Sequence, residues 1–208
     1  MKEPRFFKHP TALVESSSIG AGTRIWAFAH ILKGARIGRD CNVGDHSFVE
    51  GGAVVGSRVT LKNGVAIWGG VTLANDVFVG PNAVFTNDLW PRSPRFAKVH
   101  QRYSDPARWL VRTRVGRGAS IGANATIRCG IDIGAFAMIG AGAVVTATVP
   151  ARALVVGVPG RIVGWVCECG TRLPPLDKPS VTCPQCGTSH RVRAGRSPRR
   201  RAAAMSRG

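Results

Sequence analysis

From Leu13 to Phe85 an aliphatic or aromatic residue stands at every sixth position without a miss. The series runs Leu13, Ile19, Ile25, Ile31, Ile37, Val43, Val49, Val55, Leu61, Ile67, Leu73, Val79, Phe85, and resumes with Val115, Ile121, Ile127, Ile133, Ile139 and Val145. Two residues ahead of each marked position the side chain is mostly small, as at Ser17, Thr23, Ala29, Ala35, Cys41, Ser47, Ala53 and Ala83. Residues i and i−2 of a strand point to the same side, so each six-residue unit offers one large and one small inward side chain. Glycine often follows the large residue (Gly20, Gly38, Gly44, Gly56, Gly80), where a Cβ would obstruct a tight corner. Three units close a triangular coil, and successive coils pair their backbones at about 4.8 Å. A helix would need a 3.6-residue period and would lose about 1 kcal/mol at each glycine relative to alanine. A β-sandwich would show irregular strand spacing. The reading is an all-β, parallel β-helix built on hexapeptide repeats. Spacing does not fix its hand, and the general crossover rule alone would favour the right-handed form.

The chain of 208 residues is one sizeable domain plus appendages. We divide it into a coil domain at 9–165, a small cysteine module at 166–190 and a basic tail at 191–208. No apolar run is long enough to span a membrane, and MKEPRFFKHP lacks the apolar core of a signal peptide. A cytoplasmic location with reduced thiols is expected. The formal net charge is +18, and Arg191, Arg193, Arg196, Arg199, Arg200, Arg201 and Arg207 crowd the tail. That tail reads as a disordered, solvated end. No aromatic residue interleaves those arginines, which weakens a nucleic-acid reading. The remaining positive charge suits small polyanionic ligands.

Between Phe85 and Val115 the repeat stops. The segment is too polar and too rich in proline to form coil, yet its length is a multiple of six, so the coils on either side can stay in phase. It is expected to leave the prism as a projecting loop at 86–114, with Trp90, Tyr103 and Trp109 as anchors, and to reach a neighbouring subunit.

After Trp165 the composition changes. CECG at 167–170 and CPQCG at 183–187 form two knuckles. Paired cysteines followed by glycine let Cys167, Cys169, Cys183 and Cys186 converge tetrahedrally on a structural Zn2+. The first pair is Cys-x-Cys rather than the usual Cys-x-x-Cys. Two disulfides are the competing reading, disfavoured in a cytosolic chain. A segment this short has too little core to fold without metal. Cys41 faces the interior as a small hydrophobe, and Cys129 stands at a corner.

Several stretches together carry a resemblance. They are HPTALVE at 9–15, RIWAFAHI at 24–31, LKNGVAIWGGVTL at 61–73, VFVGPNAVFTNDLWPRS at 77–93, GASIGANATIRCG at 118–130, GAGAVVT at 140–146 and VVGVPGRIVGW at 155–165. With them the chain resembles, over about residues 9 to 190, the bacterial N-acetyltransferases that acetylate the 3-amino group of nucleotide-linked sugars for surface polysaccharide. The GAGAVV and GVPGR runs occur throughout hexapeptide acyltransferases, whereas FTNDLWPRS is narrower and points to the 3-amino-sugar group. The resemblance implies a left-handed β-helix, a homotrimer, acetyl-CoA lying between subunits, and a UDP- or dTDP-linked amino sugar as acceptor.

Related sugar O-acetyltransferases often carry a histidine in the FTND stretch; here Asn87 stands instead. An amide is no general base. It can accept a hydrogen bond from the sugar amine and turn its lone pair toward the thioester, while the proton leaves through water or to the departing thiolate. Asp88 is expected to hold substrate or assist proton removal, and Arg92 to bind a pyrophosphate or carboxylate. Eighteen-residue stacking puts Glu50, Trp68 and Thr86 in one column beside Asn87, with Trp68 facing outward, and His30 and Phe48 in a second column. Lys62 and Asn63 resemble substrate-side positions. Gly140, Ala141 and Gly142 offer close backbone approach to coenzyme A, and Arg161 a phosphate partner. His46 lies about one face away from Asn87 and reads as corner decoration. Two other classes are disfavoured. A hexapeptide carbonic anhydrase needs three converging histidines, and the five here (His9, His30, His46, His100, His190) share no suitable column. A zinc-and-tail nucleic-acid binder on a solenoid scaffold would need salt-sensitive DNA retention.

Overall fold

The computed structural model describes residues 6–175 and 180–191; the basic tail, from 192 onward, lies outside the described residues. The chain forms the three-sided parallel β-helix that the period predicts, left-handed as the resemblance implies. The first wall stacks Phe7–Lys8, Arg24–Ile25, Asn42–Val43, Thr60–Leu61, Phe78–Val79, Ser120–Ile121, Met138–Ile139 and Ala153–Val156. The second runs from Leu13–Val14 through His30–Ile31, Phe48–Val49, Ala66–Ile67, Val84–Phe85 and Thr126–Ile127 to Val144–Val145. The third holds Arg36–Ile37, Val54–Val55, Val71–Leu73, Thr113–Val115 and Asp132–Ile133. No helix among the described residues is long and apolar enough to cross a membrane.

The marked residues from Ile25 onward fill the interior. Ile25, Ile31, Leu61, Ile67, Phe85, Ile121 and Ile127 are at most 1% exposed, and the small partners Ala35, Ala53, Ala83 and Ala125 are fully buried beside them. Burying each aliphatic side chain stabilises the fold by about 1.5–3 kcal/mol. Cys41 is among them, and desolvation pushes its thiol pKa up.

The first coil departs from the expected phase. Leu13 pairs with His30 and Val14 with Ile31, a separation of 17 residues, where Ile31 pairs with Val49 at 18. A slip of one residue exchanges the two faces of a strand. Leu13 is therefore 53% exposed and Val14 packs against the core instead; Ser16, not Ser17, is buried, its hydroxyl donating to Ala35 O at 2.6 Å.

Corners have their own six-residue rhythm. The left-handed backbone region is occupied at Gly22, Phe28, Gly34, Asp40, His46, Gly52, Arg58, Gly64, Gly70, Asp76 and Asn82. The glycines that directly follow the large residues do a different job. A Cβ on Gly38 would lie 2.6 Å from the backbone of Gly56 in the next coil, so close coil-on-coil approach is what excludes a side chain there.

The loop leaves from the corner between the second and third walls and returns to the same corner. Leu73 pairs with Val115 and Val79 with Ile121, a separation of 42 residues, so the excursion adds 24 to the usual 18 and the coils resume in register. The loop folds into short turns of helix at Ala97–Val99, His100–Tyr103 and Pro106–Arg108. After the last coil, Arg161–Trp165 turns back antiparallel on Ala153–Val156 and leads into the cysteine module.

Candidate functional site

The edge between the second and third walls carries the column expected from the stacking. The strand register sets Glu50, Trp68 and Thr86 above one another, followed by Gly51, Gly69 and Asn87. Above the loop, Arg128 and Cys129 continue these two columns, and the Cys129 amide donates to Thr86 Oγ1 at 2.9 Å. Glu50 is committed to the corner itself, its Oε2 accepting the Gly69 amide at 2.7 Å. Trp68 is half-buried, packed against the core with its ring 5.3 Å from that of Phe48. Phe48 in turn meets His30 edge-on at 5.8 Å, so the two columns form one aromatic ladder. His30 Nε2 lies 2.7 Å from Glu15 Oε1, and that contact lowers the Glu15 pKa.

Asn87 is half-buried where the loop begins. Its Nδ2 points at Gly69 O at a long 3.4 Å, and its backbone carbonyl accepts the Val111 amide at 2.8 Å as the loop returns. Beside it an open cleft of about 690 Å³ runs between Gly51, Gly52, Gly69 and Gly70 on the coil edge and Pro106, Ala107, Leu110, Val111 and Arg112 on the loop. Gly70, at a φ of 86°, lies under the Leu110 side chain, whose Cδ2 is 2.6 Å from where a Cβ would stand.

Asp88 holds the loop rather than facing the cleft. Its side chain is 10% exposed, and its Oδ2 accepts from Tyr103 Oη at 2.7 Å and from Arg102 Nη2 at 2.6 Å, while Oδ1 accepts the Trp90 amide at 2.9 Å. Partial desolvation raises its pKa, but the Tyr103 hydroxyl, the Trp90 amide and the Arg102 charge outweigh it and leave the carboxyl below its ordinary value of 3.8. Both oxygens of the carboxylate are thus committed to groups within the loop. Tyr103 Oη also accepts the Arg92 amide at 2.9 Å, and Trp109 packs on the Tyr103 ring at 5.7 Å. Of the three expected anchors, Tyr103 and Trp109 act within this chain, whereas Trp90 is 76% exposed. The Arg92 guanidinium is exposed, bonded to Pro91 O alone among the described residues. Arg102, Leu110 and Arg112 were not singled out from the sequence; the loop has no period to flag them.

The remaining residues lie elsewhere. Register places Lys62 and Asn63 on the other edge of the second wall, in one column series with Gly140, Ala141 and Gly142. One chain therefore does not bring them to Asn87. A Cβ on Gly142 would meet open space, and the turn before Arg161 is pinned where the Gly160 amide donates to Val144 O at 2.7 Å. His46 stands on that same edge with its ring stacked on Phe28 at 5.0 Å, the corner decoration expected.

In the C-terminal module the four sulfurs of Cys167, Cys169, Cys183 and Cys186 lie within 4.8 Å of one another. Cys167–Cys186 and Cys169–Cys183 are each 3.6 Å apart. Four thiolates about 2.3 Å from a tetrahedral Zn2+ would stand about 3.75 Å apart, so the donor set and spacing fit that ion. The sulfurs are unbridged.

Residues 16–51 and 112–147 match the bacterial transferase hexapeptide model of six repeats. The chain is 47% identical over 189 residues, 91% of its length and 92% of the relative's, to the dTDP-3-amino-3,6-dideoxy-alpha-D-galactopyranose 3-N-acetyltransferase of Aneurinibacillus thermoaerophilus. Among solved structures, it is similar to the acetyltransferase domain of PglB from Neisseria gonorrhoeae in complex with acetyl coenzyme A, at 21% identity, TM-score 0.48, 76% of this chain and 58% of that one. Another is a variant of AntD, an N-acyltransferase from Bacillus cereus, in complex with dTDP and coenzyme A, at 16% identity, TM-score 0.48, 76% and 79%. The chain belongs to the hexapeptide-repeat acetyltransferases of bacteria.

Proposed function

We infer that the chain transfers an acetyl group from acetyl-CoA to the 3-amino group of a dTDP-linked 3-amino-3,6-dideoxyhexose, serving surface polysaccharide such as O-antigen. The observation that carries this reading is the 47% identity across nine-tenths of the chain to an enzyme named for that reaction. A UDP-linked 3-amino sugar is the neighbouring alternative. The cytoplasm is where the chain would act.

The amine nitrogen attacks the thioester carbonyl carbon, a C–N bond forms, and the C–S bond breaks. Asn87 accepts a hydrogen bond from one amine N–H through its side-chain oxygen and so directs the lone pair at the thioester. Its one side-chain contact among the described residues, Nδ2 to Gly69 O at 3.4 Å, uses the amide nitrogen and leaves the oxygen available for that role. The surplus proton leaves through water or to the departing thiolate, an alkyl thiol with a pKa of about 8.5. Asp88 serves this step only by fixing Arg102, Tyr103 and the loop. Arg92 and Arg112 supply positive charge for the pyrophosphate, and Trp68 and His30 line the wall that carries the sugar.

The working unit is a homotrimer. The coenzyme residues Gly140, Ala141, Gly142 and Arg161, with Lys62 and Asn63, lie across the second wall from Asn87, so a groove between two subunits is what joins the two edges. Exposed Leu89, Trp90 and Phe96 on the loop give it an apolar surface for a neighbouring copy. Cys167, Cys169, Cys183 and Cys186 hold a structural Zn2+, closed by four protein ligands and remote from the chemistry.

Thiol release tests the reading. Mixing the chain with acetyl-CoA and a dTDP-3-amino-3,6-dideoxyhexose is expected to free coenzyme A stoichiometrically with N-acetylated sugar. Failure with every dTDP- and UDP-linked 3-amino sugar would overturn it.

A further inference from the structure

Trp165 belongs to two interiors at once. It packs against the coil core and against the small cluster of Cys167, Leu173, Val181 and Cys183. The end coil of a solenoid would otherwise present its aliphatic column and a strand edge to water. Here Ala153 and Val155 remain at most 2% exposed. Four further ties bind the module to that end. The Val166 amide donates to Arg152 O at 2.8 Å, the Leu173 amide to Trp165 O at 2.8 Å, and Arg172 Nη2 to Val163 O at 2.9 Å, while Arg152 pairs with Glu168.

The module has little of its own to stand on. Two of the four buried side chains in its cluster, Cys167 and Cys183, are thiols of the metal-binding set. Leu173 and Val181 alone cannot offset the ordering entropy of a segment this length. His190, carried by the antiparallel hairpin Ser180–Thr182/Ser189–Arg191, sets its Nε2 3.1 Å from Cys167 Sγ and so ties the second knuckle to the first.

We propose that the metal-loaded cysteine module is the C-terminal cap of the coil stack, with Trp165 passing its order to the last strand pair and to the turn that carries Arg161. The proposal rests on the zinc reading given above. Loss of the ion frees Trp165 and frays 153–165. The turn at 157–160 loosens with it, since it is held by Gly160 N–H to Val144 O and lies next to the Gly140 amide, which donates to Val155 O at 2.8 Å. Coils further down keep their own neighbours and remain intact, as expected for a stack coupled only coil to coil.

Hydrogen exchange of the full chain, read by mass spectrometry alongside metal content, separates the outcomes. The chain as purified is expected to hold one zinc. Chelation should speed exchange across 153–165 by about tenfold or more, leave 25–79 unchanged, and reverse on adding Zn2+. Zinc removed with 153–165 unmoved would overturn the cap while the zinc reading stands. A chain that holds no zinc would remove the zinc reading and the cap with it. Trp165→Ala provides the independent arm: it should retain zinc and still show faster exchange at 153–165, and unchanged exchange there would reject Trp165 as the link.

Discussion

The coil stack and the loop at 87–112 are joined at one corner but held by different physics. In the stack every inward position recurs, so order comes from many equivalent apolar contacts between Ile31, Val49, Ile67, Phe85 and Ile127. In the loop one carboxylate, Asp88, gathers Arg102, Tyr103 and the Trp90 amide, while Leu89, Trp90 and Phe96 face outward. Repetition gives rigidity without chemical variety. The irregular insertion supplies the charged and amide groups, and the coil edge fixes where they stand.

That contrast can be broken most forcefully from the coil side. Phe85→Ala deletes the largest fully buried side chain, directly beneath the loop. Urea denaturation should show a loss of about 3–5 kcal/mol; a loss under about 1 kcal/mol would mean the column carries less than supposed. Asn87→Ala should leave the urea midpoint nearly unchanged yet reduce kcat/KM on the order of 100-fold, a value typical of removing one orienting hydrogen-bonding group. Matching losses in stability and activity would make Asn87 a mere corner former.

Asp88→Asn tests the loop's single clamp. It should raise KM roughly tenfold and speed proteolytic cleavage within 89–110, with little change in the coil, since hydrogen bonds to a charged group contribute about 1.5–3 kcal/mol. The same clamp sets a pH dependence. Because the folded Asp88 pKa is depressed, its contribution is complete above the ordinary value of 3.8 and is lost as pH falls through the lower folded value. Protease sensitivity of the loop should therefore stay flat above that value and rise only in stronger acid; a rise beginning near neutral pH would place the switch elsewhere. His46→Ala, at the smallest end, removes one stack on Phe28 and should alter kcat/KM less than about threefold. A loss exceeding that of Asn87→Ala would move the chemistry to the other edge.

Legibility follows the same division. A period is a statement about geometry, so the three walls, the preserved register across the insertion and the stacking of Glu50, Trp68 and Thr86 could be read before any coordinates. The one-residue slip of the first coil could not, because Leu13 keeps the apolar rhythm while Val14 is equally apolar and takes the inward place. The Asp88–Arg102 pair was hidden because 14 residues of aperiodic chain separate its partners. Cysteine spacing made the sulfur cluster visible, but not its tie to the coil through Trp165. Lys62 rests on resemblance and Gly140 on the close approach that glycine allows, and the register shows that they share an edge away from Asn87.

The most direct test of the account is a crystal structure with coenzyme A and a dTDP-linked 3-amino sugar bound together. The sugar amine is expected within hydrogen-bond distance of the Asn87 side chain, in the cleft between Gly69 and Leu110, with the coenzyme sulfur on the same side. An amine seated instead beside His46, or one more than about 5 Å from Asn87, would contradict it.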